Sequence, residues 1–224
     1  QADLSPVESF FRTEVRVRLT CESCKYTRTN LQNFFHLSLE MPSYGGSSVA
    51  DGLRKFFAPE KLELKCEKCF CNSALEEKEI TRLPRALLLH FKRFIVDVSP
   101  DYSSITYRKN QSDVTFHDSL DLDLNEDKVG ILAEFLADDV SLPETLDHQD
   151  KAGDEERLFH LRSVVNHIGS SASCGHYAAD AARLYPGGER EWTRFNDSFV
   201  SQISSDEAIK ESSRTAYMVL YELS

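Results

Sequence analysis

Apolar and polar residues alternate through Glu14-Val-Arg-Val-Arg-Leu-Thr20, the two-residue period of a strand with one buried face, and this run leads straight into Cys21. Residues 34–39 read as a second strand. Ser47 and Ser48 then supply a cap for a short helix in which Val49, Leu53, Phe56 and Phe57 recur at helical spacing. Strands over 61–66 and 74–82 enter and leave a second cysteine pair. The most apolar segment, 86–94, is predicted as a central strand. It ends in a loop over 95–106, which carries Pro100, Asp101 and several serines. Further strands are expected over 114–116, 120–124, 158–168, 176–184, 191–195 and 215–222, with a short helix near Asp206–Ile209. The pattern as a whole predicts an α+β fold dominated by antiparallel sheet.

Residues 125–157 break this rhythm. They hold Glu126, Asp127, Asp138, Asp139, Glu144, Asp147, Asp150, Asp154, Glu155 and Glu156 with few aromatics, the composition of a solvated insertion or linker, with room for a short helix over 129–136. The whole chain of 224 residues has 26 basic and 37 acidic side chains, a net charge of −11. That balance argues against binding nucleic acid, because few cations are available to displace counterions from phosphates. No run of apolar residues approaches a membrane span, and the first residues lack the pattern of a secretory signal.

Six cysteines are present, and four form two C-x-x-C pairs, Cys21/Cys24 and Cys66/Cys69, separated by 41 residues. Two residues between thiolates let a tight turn aim both sulfurs at one cation, and two such turns complete a tetrahedron around zinc. Four thiolates close the coordination sphere, so this zinc is expected to be structural. The thiols suit a reducing compartment, cytoplasmic or nuclear. Cys71 reads as a bystander. Cys174 lies two residues before His176 but lacks the helix N-terminus that usually lowers a catalytic thiol's pKa, and reads as a loop residue.

Gly175-His176-Tyr177 opens a strand after a flexible polar loop, and Trp192 to Asp197 forms a later strand ending in Asn196 and Asp197, two groups able to accept a hydrogen bond from an imidazole. With the two cysteine pairs, the segment Leu83-Pro84-Arg85 through Phe94, and His167-Ile168-Gly169-Ser170, these residues resemble the ubiquitin-specific protease family of cysteine deubiquitinases over residues 7–222.

The resemblance implies a papain-like palm over 83–124 and 158–224, and zinc-ribbon fingers over about 7–82. It casts His176 as general base and acid, oriented by Asn196 and supplemented by Asp197. Phe94 and Tyr177 would flank the ubiquitin tail, and ubiquitin and ubiquitinated proteins would be the partners. The family's nucleophilic cysteine belongs to a thumb segment upstream of the fingers, and no such box occurs in these residues. The cysteine is therefore expected ahead of Gln1, and the chain alone is expected to be inactive. The rival expectation is a catalytically inactive, ubiquitin-binding scaffold on the same fold.

Overall fold

The computed structural model describes residues 5–42, 45–121, 132–141, 143, 158–171, 174–185 and 189–223. Helix α1 (Pro6–Phe11) leads into β1 (Thr13–Cys21), which pairs antiparallel with β2 (Thr27–Phe34) on one side and β6 (Ala74–Arg82) on the other. The short β5 (Glu60–Leu62) adds to β6, as does β12 (Leu136–Ser141), in parallel, giving a five-stranded sheet. Thr13, Val15 and Val17 of β1 are buried and their neighbours less so, as the alternation requires. Strand β2 is exposed almost throughout. The two cysteine pairs close the far tip of this sheet.

The second sheet has eight strands. Seven follow in the order β16 (Phe199–Ile203), β15 (Arg190–Asn196), β14 (His176–Leu184), β13 (Leu158–Ile168), β17 (Ala216–Leu223), β7 (Ala86–Phe91) and β3 (Leu37–Leu39), and β11 (Ser119–Asp121) pairs with β13. All of these pairings are antiparallel except β3 with β7. Helix α2 (Val49–Phe57) follows β4 (Ser47–Ser48), which pairs in parallel with β10 (Val114–Thr115). Ser48 and Asp51 cap α2 reciprocally, and its Val49, Leu53 and Phe57 are buried. Strands β8 (Phe94–Val98) and β9 (Ile105–Lys109) make a separate hairpin, and α3 (Ser205–Ser212) precedes β17. One continuous core joins Val15, Val17 and Ile80 of the five-stranded sheet to Leu37, Leu89, Val164 and Val219 of the eight-stranded sheet.

The α+β, mainly antiparallel expectation holds, and several local expectations change. Residues 34–39 are two strands, because Phe35 and His36 carry the chain from one sheet to the other. Strand β3 and helix α2 consequently belong with the eight-stranded sheet, although residues 7–82 as a whole are read from the sequence as fingers. The strand expected over 61–66 is confined to β5. The one expected over 86–94 stops at Phe91, where Arg93 turns into the core. The 95–106 loop is a hairpin, with Ile95, Val96, Val98 and Ile105 supplying β-branched residues and Ser99 and Asp101 organising its turn. Within the acidic stretch, 132–141 is ordered: Leu132 and Ala137 are buried, Phe135 stacks on Phe57, and Glu134 pairs with Arg54. Of the short helix expected over 129–136, residues 129–131 lie outside the described residues, and the rest holds a single 3-10 turn over Ala133–Phe135 that runs into β12 at Leu136. Residues 122–131, 142 and 144–157, which include the remainder of that stretch and Leu122 to Leu124, lie outside the described residues.

Candidate active site and metal centre

His176 is the first residue of β14, and its cross-strand partner is Ile168, the last residue of β13. Asn196 ends β15, and Asp197 follows in a two-residue turn to β16, where its positive φ of 52° fits a residue type that tolerates the left-handed region. The sheet order β13-β14-β15 thus gathers, at one end of adjacent strands, residues that are 20 apart in sequence. Nε2 of His176 donates to Oδ1 of Asn196 at 2.5 Å. Asp197 places a carboxylate oxygen 3.9 Å from the same nitrogen. An amide oxygen only accepts, so this arrangement assigns the ring proton to Nε2 and leaves Nδ1 free to accept a proton. The imidazole is 40% exposed, open to a reacting partner, while the Asp197 side chain is 78% exposed and well solvated.

The loop leading to His176 is built on a second histidine. His167 is 2% exposed, and its ring packs against Phe94 at 5.1 Å and Tyr177 at 4.9 Å between centroids. A Cβ at Gly175 would stand 2.1 Å from Nε2 of His167, so only glycine allows this close approach. Gly169 adopts a φ of +145°, which L side chains rarely adopt. Phe94 and Tyr177, both singled out in the sequence, each pack against His167, and Tyr217 touches both of them. Tyr177 remains 52% exposed.

Two buried cations support this region: Arg93, which the sequence reading carried within the Leu83–Phe94 segment without a role, and Lys109, which it did not single out. Arg93, 0% exposed, donates to the carbonyls of Ala216, Asn110, Ser112 and Ser213, and burial holds its pKa down at about 10. Lys109, 8% exposed, donates from Nζ to the carbonyls of His167 at 2.5 Å and Gly169 at 2.9 Å. The signal in the sequence is only a basic residue at each end of a short β-rich hairpin, which ordinarily reads as surface.

At the other end of the molecule, the sulfurs of Cys21, Cys24, Cys66 and Cys69 lie within 4.8 Å of one another. Cys21–Cys69 and Cys24–Cys66 are 3.6 and 3.7 Å apart, near the ~3.8 Å edge of a tetrahedron with Zn–S bonds of about 2.3 Å. The two turns are alike. Lys25 and Phe70 both have φ of 61° and donate to the carbonyls of Cys21 and Cys66, while the amides of Cys21 and Cys66 donate to the carbonyls of Tyr26 and Cys71. Cys71 therefore occupies the place of Tyr26, contributing backbone to the second turn while its sulfur stays outside the cluster. Amide N–H groups of Cys24 and Ser23 hold the Cys21 thiol at about 6, and those of Cys69 and Lys68 lower Cys66. Cys24, despite an amide bond from Tyr26, is pushed up to about 12 by its crowded sulfur neighbours and burial. Thiolates crowded in this way repel one another, and a divalent cation relieves the repulsion. The donor set fits zinc. Cys174 is exposed and stands apart from the cluster.

An eight-stranded sheet with an amide-bonded histidine at the end of an interior strand, and a four-thiol cluster on a second sheet, mark a defined class of molecule. The chain belongs to the family described as ubiquitin carboxyl-terminal hydrolase, whose sequence profile matches residues 1–221. It is 29% identical to ubiquitin carboxyl-terminal hydrolase 2 of Gallus gallus over 98% of this chain and 53% of that protein. It is 25% identical to ubiquitin carboxyl-terminal hydrolase 3 of Saccharomyces cerevisiae over 97% of this chain and 24% of that protein. The chain thus spans about half or less of the length of these relatives. Among solved structures, the SAGA Ubp8/Sgf11/Sus1/Sgf73 DUB module bound to ubiquitin aldehyde has a chain of the same fold, with a TM-score of 0.70 at 23% identity, covering 100% of this chain and 44% of that one.

Proposed function

We propose that the protein is a thiol-dependent deubiquitinase that hydrolyses the peptide or isopeptide bond after the C-terminal glycine of ubiquitin. The observation that carries this reading is the Nε2 bond from His176 to Asn196 in a chain of this family. Nδ1 of His176 takes the proton of a cysteine thiol, the thiolate attacks the glycine carbonyl, and the imidazolium returns the proton to the departing amine. A water molecule, deprotonated by the same ring, then cleaves the thioester and regenerates the thiol. Asn196 fixes the tautomer and the plane of the ring, and the Asp197 carboxylate supports the imidazolium from its second position. The nucleophile is a cysteine outside these residues, in a segment expected to precede Gln1.

In this reading the ubiquitin tail runs between Phe94 and Tyr177, and the globular part rests on the five-stranded sheet as on fingers, with the eight-stranded sheet as palm. Cys21, Cys24, Cys66 and Cys69 hold one structural zinc, which ties the two tips together and, with its sphere closed by thiolates, activates no water. The thiol chemistry suits the cytoplasm or nucleus.

The test is ubiquitin carrying a thiol-reactive electrophile at its C-terminus, applied to the protein that contains this chain, with the adduct located by mass spectrometry. An adduct on a cysteine outside these residues is expected. His176→Ala should lower cleavage by roughly 10²- to 10⁴-fold while ubiquitin still binds. An adduct on Cys174, or undiminished turnover in the variant, overturns the assignment. Ubiquitin binding with no adduct and no turnover in the parent protein identifies a scaffold instead.

A further inference from the structure

We infer that Lys109 is a positioning residue for His176, holding in place the strand end that sets the catalytic imidazole. The inference rests on the role given to His176 above and goes beyond it. Ile168 is the cross-strand partner of His176, and Lys109 bonds the carbonyls of the residues on either side of Ile168, His167 at 2.5 Å and Gly169 at 2.9 Å. The ammonium therefore grips the backbone directly opposite the imidazole. At this point β13 is ending and β14 beginning, and the pair Ile168↔His176 is the last rung of the ladder. An end rung has no further pairing beyond it to fix its position, so it depends on side-chain support.

The grip has a rigid origin. Lys109 is paired with Phe94 at the base of the β8–β9 hairpin, and the Phe94 ring packs edge-on against the ring of His167. Both members of one hairpin rung thus hold the same residue, one through its carbonyl and one through its ring. Asn110, next to Lys109, donates from its side chain to the carbonyl of Pro42, and its amide donates to the carbonyl of Arg93. The ammonium is nearly excluded from water, so its bonds to the carbonyls meet little competition from solvent, and charged donors make the stronger kind of hydrogen bond. From β15, the strand flanking β14 on the other side from β13, Asn196 fixes the imidazole by its side chain. Lys109 fixes where the backbone puts that ring, and Asn196 fixes how the ring turns.

Lys109→Met removes the donors while keeping the apolar stem. In the protein that contains this chain it should lower kcat for a ubiquitin-amide substrate about 10- to 100-fold, the loss that an ångström-scale misplacement brings. KM and ubiquitin affinity should stay within about twofold. Lys109→Arg, which retains charge and paired donors, should recover part of the loss, and the acidic limb of the pH–rate profile should move in the methionine variant alone. Gly169→Ala perturbs the same loop independently, since its Cβ would meet the Cys174 carbonyl at 3.0 Å and φ is +145°, and it should reproduce the kcat-selective loss. Wild-type kcat in Lys109→Met overturns the inference. If that variant fails to fold, wild-type kcat in Gly169→Ala overturns it equally. A parent protein in which His176→Ala costs nothing overturns the functional reading itself, a result distinct from either.

Discussion

Asn196 and Asp197 both approach one ring nitrogen of His176, at 2.5 and 3.9 Å, and the difference in distance and solvation separates their roles. Asn196 makes a bond with direction, which fixes both tautomer and plane. Asp197 offers charge from a solvated position, where screening removes most of its effect. Asn196→Ala should therefore cost about 10²-fold in kcat, and Asp197→Ala less than about fivefold. Steady-state kinetics of the two variants and their double check this, and equal losses from the two single changes would mean that the orienting role is shared. In the sequence this pair stood out as two hydrogen-bond acceptors at a strand end downstream of Gly175-His176-Tyr177, and the roles came from the family resemblance. Lys109 was not legible in the same way. Its importance comes from burial and from its bonds to the carbonyls of His167 and Gly169, and a lysine at a strand end carries no local mark of being buried.

At the scale of elements, the repeated C-x-x-C turns predicted the hairpin tips, and the proposed zinc would matter to the fold most at those tips. Strand β1 is anchored at its start by Val15 and Val17 in the core, β2 is exposed almost throughout, and β5 has only three residues. Little apolar burial holds the far ends of these strands. About 10 kcal/mol or more of binding free energy is typical when four such ligands close on zinc. Metal analysis should find one zinc per chain. Its removal by a strong chelator should abolish hydrogen-exchange protection over 19–28 and 62–76 while leaving β13, β14 and β17 protected. Unchanged protection at the tips would overturn the structural role of the metal. Two of the elements that the sequence obscured share a cause, which is that composition outvoted spacing. Prolyl and seryl residues hid the β8–β9 hairpin. Acidic residues hid β12, although Leu132, Phe135, Ala137 and Val140 pack inward from that stretch. Strand β16 presents Phe199 and Val200 to solvent and so offers no buried alternation to find.

Across the whole molecule, the sequence conveys the sheet-dominated architecture, but the boundary between its two sheets is misplaced because one core runs through both. That shared core also sets how stability responds to pH. His90, His160 and His167 all lie on the eight-stranded sheet, and burial depresses the pKa of each below the ordinary 6.5. Neighbouring cations add to this: Lys92 and His36 beside His90, Arg190 and Arg162 beside His160 against the opposing Asp118, and Lys109 beside His167. Once the pH falls below 6.5, the unfolded chain binds protons at these rings that the folded chain refuses, so unfolding is favoured. The contribution is present above 6.5 and is lost progressively as the pH drops through the folded-state values. The depressed carboxylates of Asp51, Asp113, Glu134 and Glu207, with ordinary values of 3.8 or 4.5, respond only at lower pH. The thermal midpoint of the zinc-replete protein should therefore fall between pH 6.5 and 5, before those carboxylates titrate. Comparing the wild type with a His90→Gln, His160→Gln double variant isolates the effect, because thiolate protonation at the metal is common to both. The variant's midpoint should fall less steeply over that window, and parallel curves would show that the buried histidines do not set the acid response.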